Sequence, residues 1–164
     1  MIILGIDPGI AVTGYGVIQF HNGTSECIAF GAIRTGDDQK KEIRLFSIFQ
    51  RLNEIIQEYH PDMVAVEQLF FNRNTKTALA VGESRGVVLL TVGMNQLPLY
   101  EYTPLQVKEC LTGYGRATKN QVREVVQMEL NMEKPPRPID ASDALAIALT
   151  HSCLRDLDLI GVVP

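Results

Sequence analysis

Four carboxylates stand where this chain changes direction. Asp7 closes the apolar run Met1-Ile2-Ile3-Leu4-Gly5-Ile6 and opens the turn Pro8-Gly9. A short apolar run bounded by a turn reads as a buried strand. An acid at the end of such a strand is poorly placed for a solvated face and well placed for a site. Glu67 holds the same position after Met63-Val64-Ala65-Val66, and Asp140 and Asp143 lie three apart at the start of an apolar, helix-like segment. Residues at i and i+3 share a helix face. Acids converging from distant parts of the chain point to a site for hard divalent cations such as Mg²⁺. Unpaired, such carboxylates repel one another and some take up protons. Two Mg²⁺ ions about 3.5–4 Å apart would cancel much of that charge, activate water and stabilise the leaving oxygen in phosphodiester cleavage. The three histidines (His21, His60, His151) have no ligand spacing, so zinc is not expected. Taken singly, each acid has an ordinary account. Asp7 suits a turn, Glu67 a surface, Asp140 a helix N-cap, and Asp143 the first turn of a helix. The four together shift the balance toward a metal site.

The elements that must position these acids follow from punctuation and period. Residues 2–7 read as a strand, 13–20 as a second and 25–34 as a third, with Asn22-Gly23 a strong hairpin signal between the last two. Leu45, Phe49, Leu52, Ile56 and Tyr59 mark one face of a helix that Pro61 stops. Residues 63–66 are a fourth strand. A long helix from Thr75 or Thr77 to about Met94 follows, with Val81, Arg85, Val88 and Val92 spaced along it, and residues 98–102 are a fifth strand. Gly82 and Gly86 are costly inside a helix, and they make sense if another backbone, from a partner subunit, packs there. Thr103-Pro104-Leu105-Gln106 and Thr118-Lys119-Asn120-Gln121 are capping boxes that open two helices. A proline-rich loop from Lys134 to Pro138 leads to a final helix from about Asp140 to Leu154. Strands four and five follow helical crossovers, which makes them parallel to strand one in a mixed sheet. If strands one and four are neighbours, Asp7 and Glu67 emerge together at the carboxyl edge, where open α/β sheets place their ligands.

Bulk properties are those of an ordinary globular protein. The chain has 164 residues, 46% of them hydrophobic and 21% charged, which favours one domain over 1–164 with the last few residues as a tail. No apolar stretch approaches the roughly 20 residues that span a bilayer, and the N-terminus lacks signal-peptide features. Cys27, Cys110 and Cys153 are scattered and odd in number, as expected of reduced thiols in a cytoplasmic protein. The formal net charge of -4 argues against a broad basic grip on nucleic acid. Two local groups of bases remain available, Arg73, Lys76 and Arg85 after Glu67, and Lys108, Arg116, Lys119 and Arg123 later.

At this point the residues resemble a family. Gly5-Ile6-Asp7-Pro8-Gly9 with Thr13-Gly14-Tyr15-Gly16, then Glu67-Gln68-Leu69-Phe70, Gln106-Val107-Lys108, and Asp140-Ala141-Ser142-Asp143-Ala144-Leu145-Ala146 are similar to the blocks of the RuvC Holliday-junction resolvases. A lone Asp-Pro-Gly would be weak; four blocks in order and at fitting spacing are specific. The resemblance implies an α/β RNase H-like fold, with a five-stranded mixed sheet flanked by helices. It implies a homodimer whose two sites nick opposed strands of four-way junction DNA, leaving 5′-phosphate and 3′-hydroxyl ends, in recombination and repair. The catalytic and metal-holding carboxylates then fall on Asp7, Glu67, Asp140 and Asp143, with two Mg²⁺ per subunit for which Mn²⁺ can substitute. The resemblance assigns Phe70 to the opened bases, and Lys108 and Lys119 to phosphate or transition-state charge near the site; Arg116 adds to the phosphate contacts. It also implies a branch-migration complex as partner. Physically, an aromatic can stack on any unpaired base, and Phe70 would otherwise be core. The alternatives are a sugar-kinase-like nucleotide-binding protein, a non-catalytic junction-binding module, and an enzyme acting on RNA–DNA hybrid.

Overall fold

The computed structural model describes residues 1–68 and 75–159. Ten elements follow one another: β1 (Ile2–Asp7), β2 (Val12–His21), β3 (Thr24–Arg34), α1 (Lys41–Tyr59), β4 (Met63–Glu67), α2 (Thr75–Met94), β5 (Leu99–Tyr102), α3 (Pro104–Thr112), α4 (Lys119–Glu129) and α5 (Ile139–Leu159). The strands form one sheet in the order β3-β2-β1-β4-β5. β1 and β3 run antiparallel to β2, while β4 is parallel to β1 and β5 to β4. The mixed sheet and the adjacency of β1 and β4 are as expected. Among the described residues no helix is long and apolar enough to cross a membrane.

Local chemistry explains the boundaries. Asn22 (φ 50°) and Gly23 (φ 76°) both take positive φ, the requirement of the tight hairpin turn that joins β2 to β3. Both capping boxes form: Thr103 and Thr118 accept from the backbone N–H of Gln106 and Gln121, whose side chains reach back to the cap N–H. α5 begins one residue earlier than expected, at Ile139, so Asp140 lies inside its first turn and not at the cap.

The sheet separates two apolar layers. On one face Leu4, Ile6, Val17, Val64 and Val66 pack against Ile48, Leu52, Ile55 and Ile56 of α1 and Val88 and Val92 of α2. On the other, Ile3, Ile18, Met63 and Ala65 pack against α3, α4 and α5 through Val107, Val122, Val126, Leu145 and Leu149. The α1 face is rotated from the expected one: Ile48 and Ile55 are buried, whereas Leu45, Phe49 and Tyr59 are only partly so. Leu45, Phe49, Leu52, Ile56 and Tyr59 form a stripe, but the buried surface is centred one row over. His151 is core, its Nδ1 2.6 Å from the Tyr102 hydroxyl and its Nε2 2.8 Å from Met63 Sδ. Burial, with Arg155 adding repulsion, lowers its pKa to about 4.

α5 lies unusually close to the sheet, because glycines face it. A Cβ at Gly5 would stand 2.0 Å from the Ala144 carbonyl oxygen, and one at Gly14 would stand 2.0 Å from that of Asp140. Both distances are far inside van der Waals contact, so only glycine permits this approach.

Candidate active site

Strand parity aims the first two acids. Side chains alternate across a sheet, and Ile3 faces the α5 layer while Leu4 and Ile6 face the α1–α2 layer. Residues 3, 5 and 7 therefore share the α5 side. The same holds on β4, where Met63 and Ala65 belong to the α5 layer and Val64 and Val66 to the other. Asp7 and Glu67 thus point the same way from the ends of adjacent parallel strands; Ile6 is the register partner of Val66, the residue before Glu67.

The third and fourth acids arrive on α5. Asp7 is the register partner of Gly14 on β2, and Gly14 is the residue on which the Asp140 carbonyl rests. The helix start is thereby set beside the strand end that carries Asp7. The turn after Asp7 is tied as well. The buried Thr13 hydroxyl donates to the Gly9 carbonyl at 2.6 Å, and the Thr35 hydroxyl donates to that of Ile10 at 2.5 Å.

The electrostatics are those of an uncompensated acid cluster. Burial raises the Asp7 pKa from 3.8 to about 7, reinforced by the charges of Glu67, Asp143 and Asp140 and opposed by Lys119. Burial likewise raises that of Glu67, with Asp143 adding to the effect and Lys119 opposing it. Lys119 Nζ bonds Asp143 Oδ2 at 2.7 Å; this bond, and the nearby Asp7 and Glu67 charges, raise the lysine's own pKa. As the side chains stand, no three acids, cysteines or histidines among the described residues are gathered tightly enough to hold an ion together. The donor chemistry fits a hard cation: partly buried carboxylate oxygens with Lys119 as their main countercharge.

Beside the acids a cavity of about 300 Å³ is lined by Glu67, Lys108, Lys119 and Asp143, with Val107, Val122, Ala146 and Ile147 among its apolar walls. The structure therefore brings both expected lysines to the acids, Lys108 from α3 and Lys119 from the first turn of α4. Arg116 is exposed in the turn between those helices and does not line this cavity. Phe70 lies outside the described residues, as does Arg73. Arg123 bonds backbone carbonyls of the loop before α5. The glycine seats under α5 went unassigned in the sequence reading, although glycines at alternate strand positions (Gly14 and Gly16) signal a close backbone approach.

Comparison with known proteins agrees. The family model described as crossover junction endodeoxyribonuclease RuvC matches residues 3–151. The protein of that name from Alkaliphilus metalliredigens is 49% identical over 152 residues, covering 93% of each chain. That from Caldicellulosiruptor saccharolyticus is 51% identical over 152 residues, covering 92% of each. Among solved structures, Thermus thermophilus RuvC in complex with Holliday junction substrate superimposes with a TM-score of 0.92 at 35% identity, over 96% of both chains. The yeast mitochondrial Holliday junction resolvase shares the fold, with a TM-score of 0.69 at 14% identity over 94% of this chain. A match this long, in sequence and in fold, places the chain in the RuvC family of crossover junction endodeoxyribonucleases, on an RNase H-like fold.

Proposed function

We propose that this protein resolves four-way DNA junctions by metal-dependent hydrolysis of one phosphodiester in each of two opposed strands. The observation that carries the reading is the convergence of Asp7 and Glu67, from adjacent strands, on the helix that carries Asp140 and Asp143. The likeness to Thermus thermophilus RuvC in complex with its junction supports the substrate class.

Asp7, Glu67, Asp140 and Asp143 would hold the divalent ions, two Mg²⁺ per subunit with Mn²⁺ as a substitute. When bound, the ions supply an activated water and stabilise the departing 3′ oxygen. The residues do the rest. Burial and the neighbouring acids favour the protonated form of Asp7, and bound cation charge would favour its release. Lys119, which bonds Asp143 here, would offer its ammonium to a phosphate oxygen once Asp143 serves as a metal ligand. Lys108 approaches the same phosphate from α3. A positioned cation at the developing phosphorane charge acts where charge increases most. Water adds its oxygen to phosphorus, the bond to the 3′ oxygen breaks, and that oxygen takes up a proton. The products are a 5′-phosphate and a 3′-hydroxyl.

Paired nicks need two sites, and α2 offers a surface for a second copy. A Cβ at Gly82, Gly86 or Gly93 meets nothing within 4 Å, and Leu79, Leu90 and Met94 are 60–63% exposed. These residues recur at helical spacing along an outward face. Small residues flanked by leucines let two helices approach closely, which supports the homodimer with α2 as its seam. A branch-migration complex as further partner follows from the family resemblance alone.

The test is cleavage of a synthetic four-way junction with thymine-rich centres, in Mg²⁺ and in EDTA, beside linear duplex and RNA–DNA hybrid, with Asp7→Asn as control. Symmetric, metal-dependent nicks confined to the junction are expected. Cleavage by Asp7→Asn at the wild-type rate would sink the site assignment, and cutting of the hybrid would move the substrate to RNA–DNA duplexes.

A further inference from the structure

One face of α4 carries Lys119, Arg123 and Gln127, each four residues from the next, and all three side chains donate toward α5 or the segment leading to it. Lys119 meets Asp143. Arg123 Nε donates to the Pro136 carbonyl at 3.0 Å, and its Nη2 donates to that of Pro135 at 3.3 Å. Gln127 Nε2 donates to the carbonyls of Met132 at 3.2 Å and Glu133 at 3.3 Å. The loop is short of donors of its own, since Pro135, Pro136 and Pro138 have no N–H. Pro136 is nevertheless buried, so its carbonyl needs a partner. Four residues beyond it stands Asp140, and the Pro138 carbonyl already accepts from the Ser142 N–H, in the first turn of α5. The loop thus passes its position directly to the helix start.

We propose that Arg123, backed by Gln127, is a positioning residue for Asp140: its fork on the Pro135 and Pro136 carbonyls sets where the first turn of α5 seats on Gly14, and so where the Asp140 carboxylate stands relative to Asp7. This rests on the metal-nuclease reading above. The tie matters because the polar contact of Lys119 with Asp143 would give way when ions and phosphate arrive, whereas the bonds of Arg123 to the loop remain, beside the apolar packing of Val122 and Val126, to fix the start of α5 against α4. Arginine suits the task, since a planar guanidinium can serve two carbonyls at once where a lysine serves one. Arg123 counts among the bases available to DNA in the sequence, but its Nε and Nη2 face protein carbonyls.

The experiment compares the wild type with Arg123→Gln and Arg123→Lys. Mn²⁺ binding is measured by calorimetry without DNA, and the Mg²⁺ half-saturation of junction cleavage is measured alongside. Junction affinity in EDTA over a salt series and thermal stability complete the set. Residues that orient metal ligands through hydrogen bonds typically change metal affinity about 10-fold or more when removed. Arg123→Gln is expected to weaken Mn²⁺ binding and raise the Mg²⁺ half-saturation by roughly that factor, with junction affinity unchanged and Arg123→Lys falling between. Unchanged metal affinity, with or without a loss of stability, would overturn the proposal. So would a drop in junction affinity with a shallower salt dependence, which would make Arg123 a phosphate contact. If Arg123→Gln does not fold, Arg123→Lys decides the matter by the same measurements. A wild type that binds Mn²⁺ but leaves junctions uncut would count against the nuclease reading and not against the positioning role.

Discussion

Replacing Asp7 by asparagine should stabilise the metal-free protein while abolishing its activity. Burial and the neighbouring acids raise the Asp7 pKa from 3.8 to about 7. The folded state therefore holds this proton more tightly than the unfolded chain. Stability is full below about pH 4, falls as pH rises toward 7, and levels off above. Each tenfold in proton affinity is worth about 1.4 kcal/mol, so the ionised carboxylate destabilises the fold by up to about 4 kcal/mol at pH 8 and by about 1.5 kcal/mol at pH 5. These are upper bounds, because rotation of the side chain toward solvent relieves part of the burial. Asparagine keeps the shape, removes the charge and offers its amide to the adjacent acids. For a chain of 164 residues, 1 kcal/mol moves Tm by about 2–4 °C. Thermal or urea unfolding in EDTA at fixed salt should show Asp7→Asn more stable than wild type at pH 8, by several degrees, with the gap shrinking by half or more at pH 5. A gap of opposite sign at pH 8, or one that ignores pH, would refute the electrostatic account of the site.

Other outcomes follow from the same geometry. Mg²⁺ should raise the Tm of wild type more at pH 8 than at pH 5, and binding near pH 7 should release protons, seen as a buffer-dependent heat in calorimetry, because Asp7 titrates there. Lys119→Met should bind Mg²⁺ more tightly, having lost a competing cation, yet cut junctions about 10²-fold more slowly for want of charge at the transition state. Gly14→Ala should lower stability by about 2–3 kcal/mol through overpacking and abolish cleavage, because the new methyl meets the Asp140 carbonyl; wild-type activity in a circular-dichroism-normal variant would contradict the seating of α5. Leu90→Glu should shift the protein toward monomer in sedimentation and remove the pairing of nicks, since Leu90 is 60% exposed on the outward face of α2.

Much of this architecture was legible in the residues. Asn22-Gly23 and the two Thr-x-x-Gln boxes are local signals that tertiary packing did not override, and the crossovers dictated which strands run parallel. The α1 face was misjudged because two overlapping stripes, one through Leu45 and Phe49 and one through Ile48 and Ile55, share Leu52 and Ile56; which stripe is buried depends on how the sheet twists beneath it. The four acids stand out in the sequence by their positions at element ends, and the structure carries them on β1, β4 and the first turns of α5. The bond between Lys119 and Asp143 cannot be read from period, because the two are 24 residues apart on separate helices; only the family resemblance puts Lys119 near the site. Arg123 reads in the sequence only as one of a local group of bases, because charge is visible in a sequence and a carbonyl acceptor is not. Phe70 lies outside the described residues, so its assignment remains with the family resemblance.

The acid cluster is a balance between close approach and repulsion. Gly5 and Gly14 bring the backbone of α5 within reach of β1 and β2, which places acids from three elements in one partly buried space. That arrangement raises the pKa of Asp7 and Glu67, a cost borne by the two apolar layers on either side of the sheet. Lys119 offsets part of it from the first turn of α4, on a long side chain that is 74% exposed and therefore cheap to move. A fixed buried cation in its place would compete with the ions permanently, and a distant one would leave the empty site more repulsive. An exposed lysine avoids both: it shields Asp143 and, on the proposed function, would be free for the phosphate once ions bind. The same reasoning explains why the lysine comes from α4 and not from α5. A cation on the helix that carries Asp140 and Asp143 would be held among the ligands, whereas one on the neighbouring helix can withdraw without disturbing them.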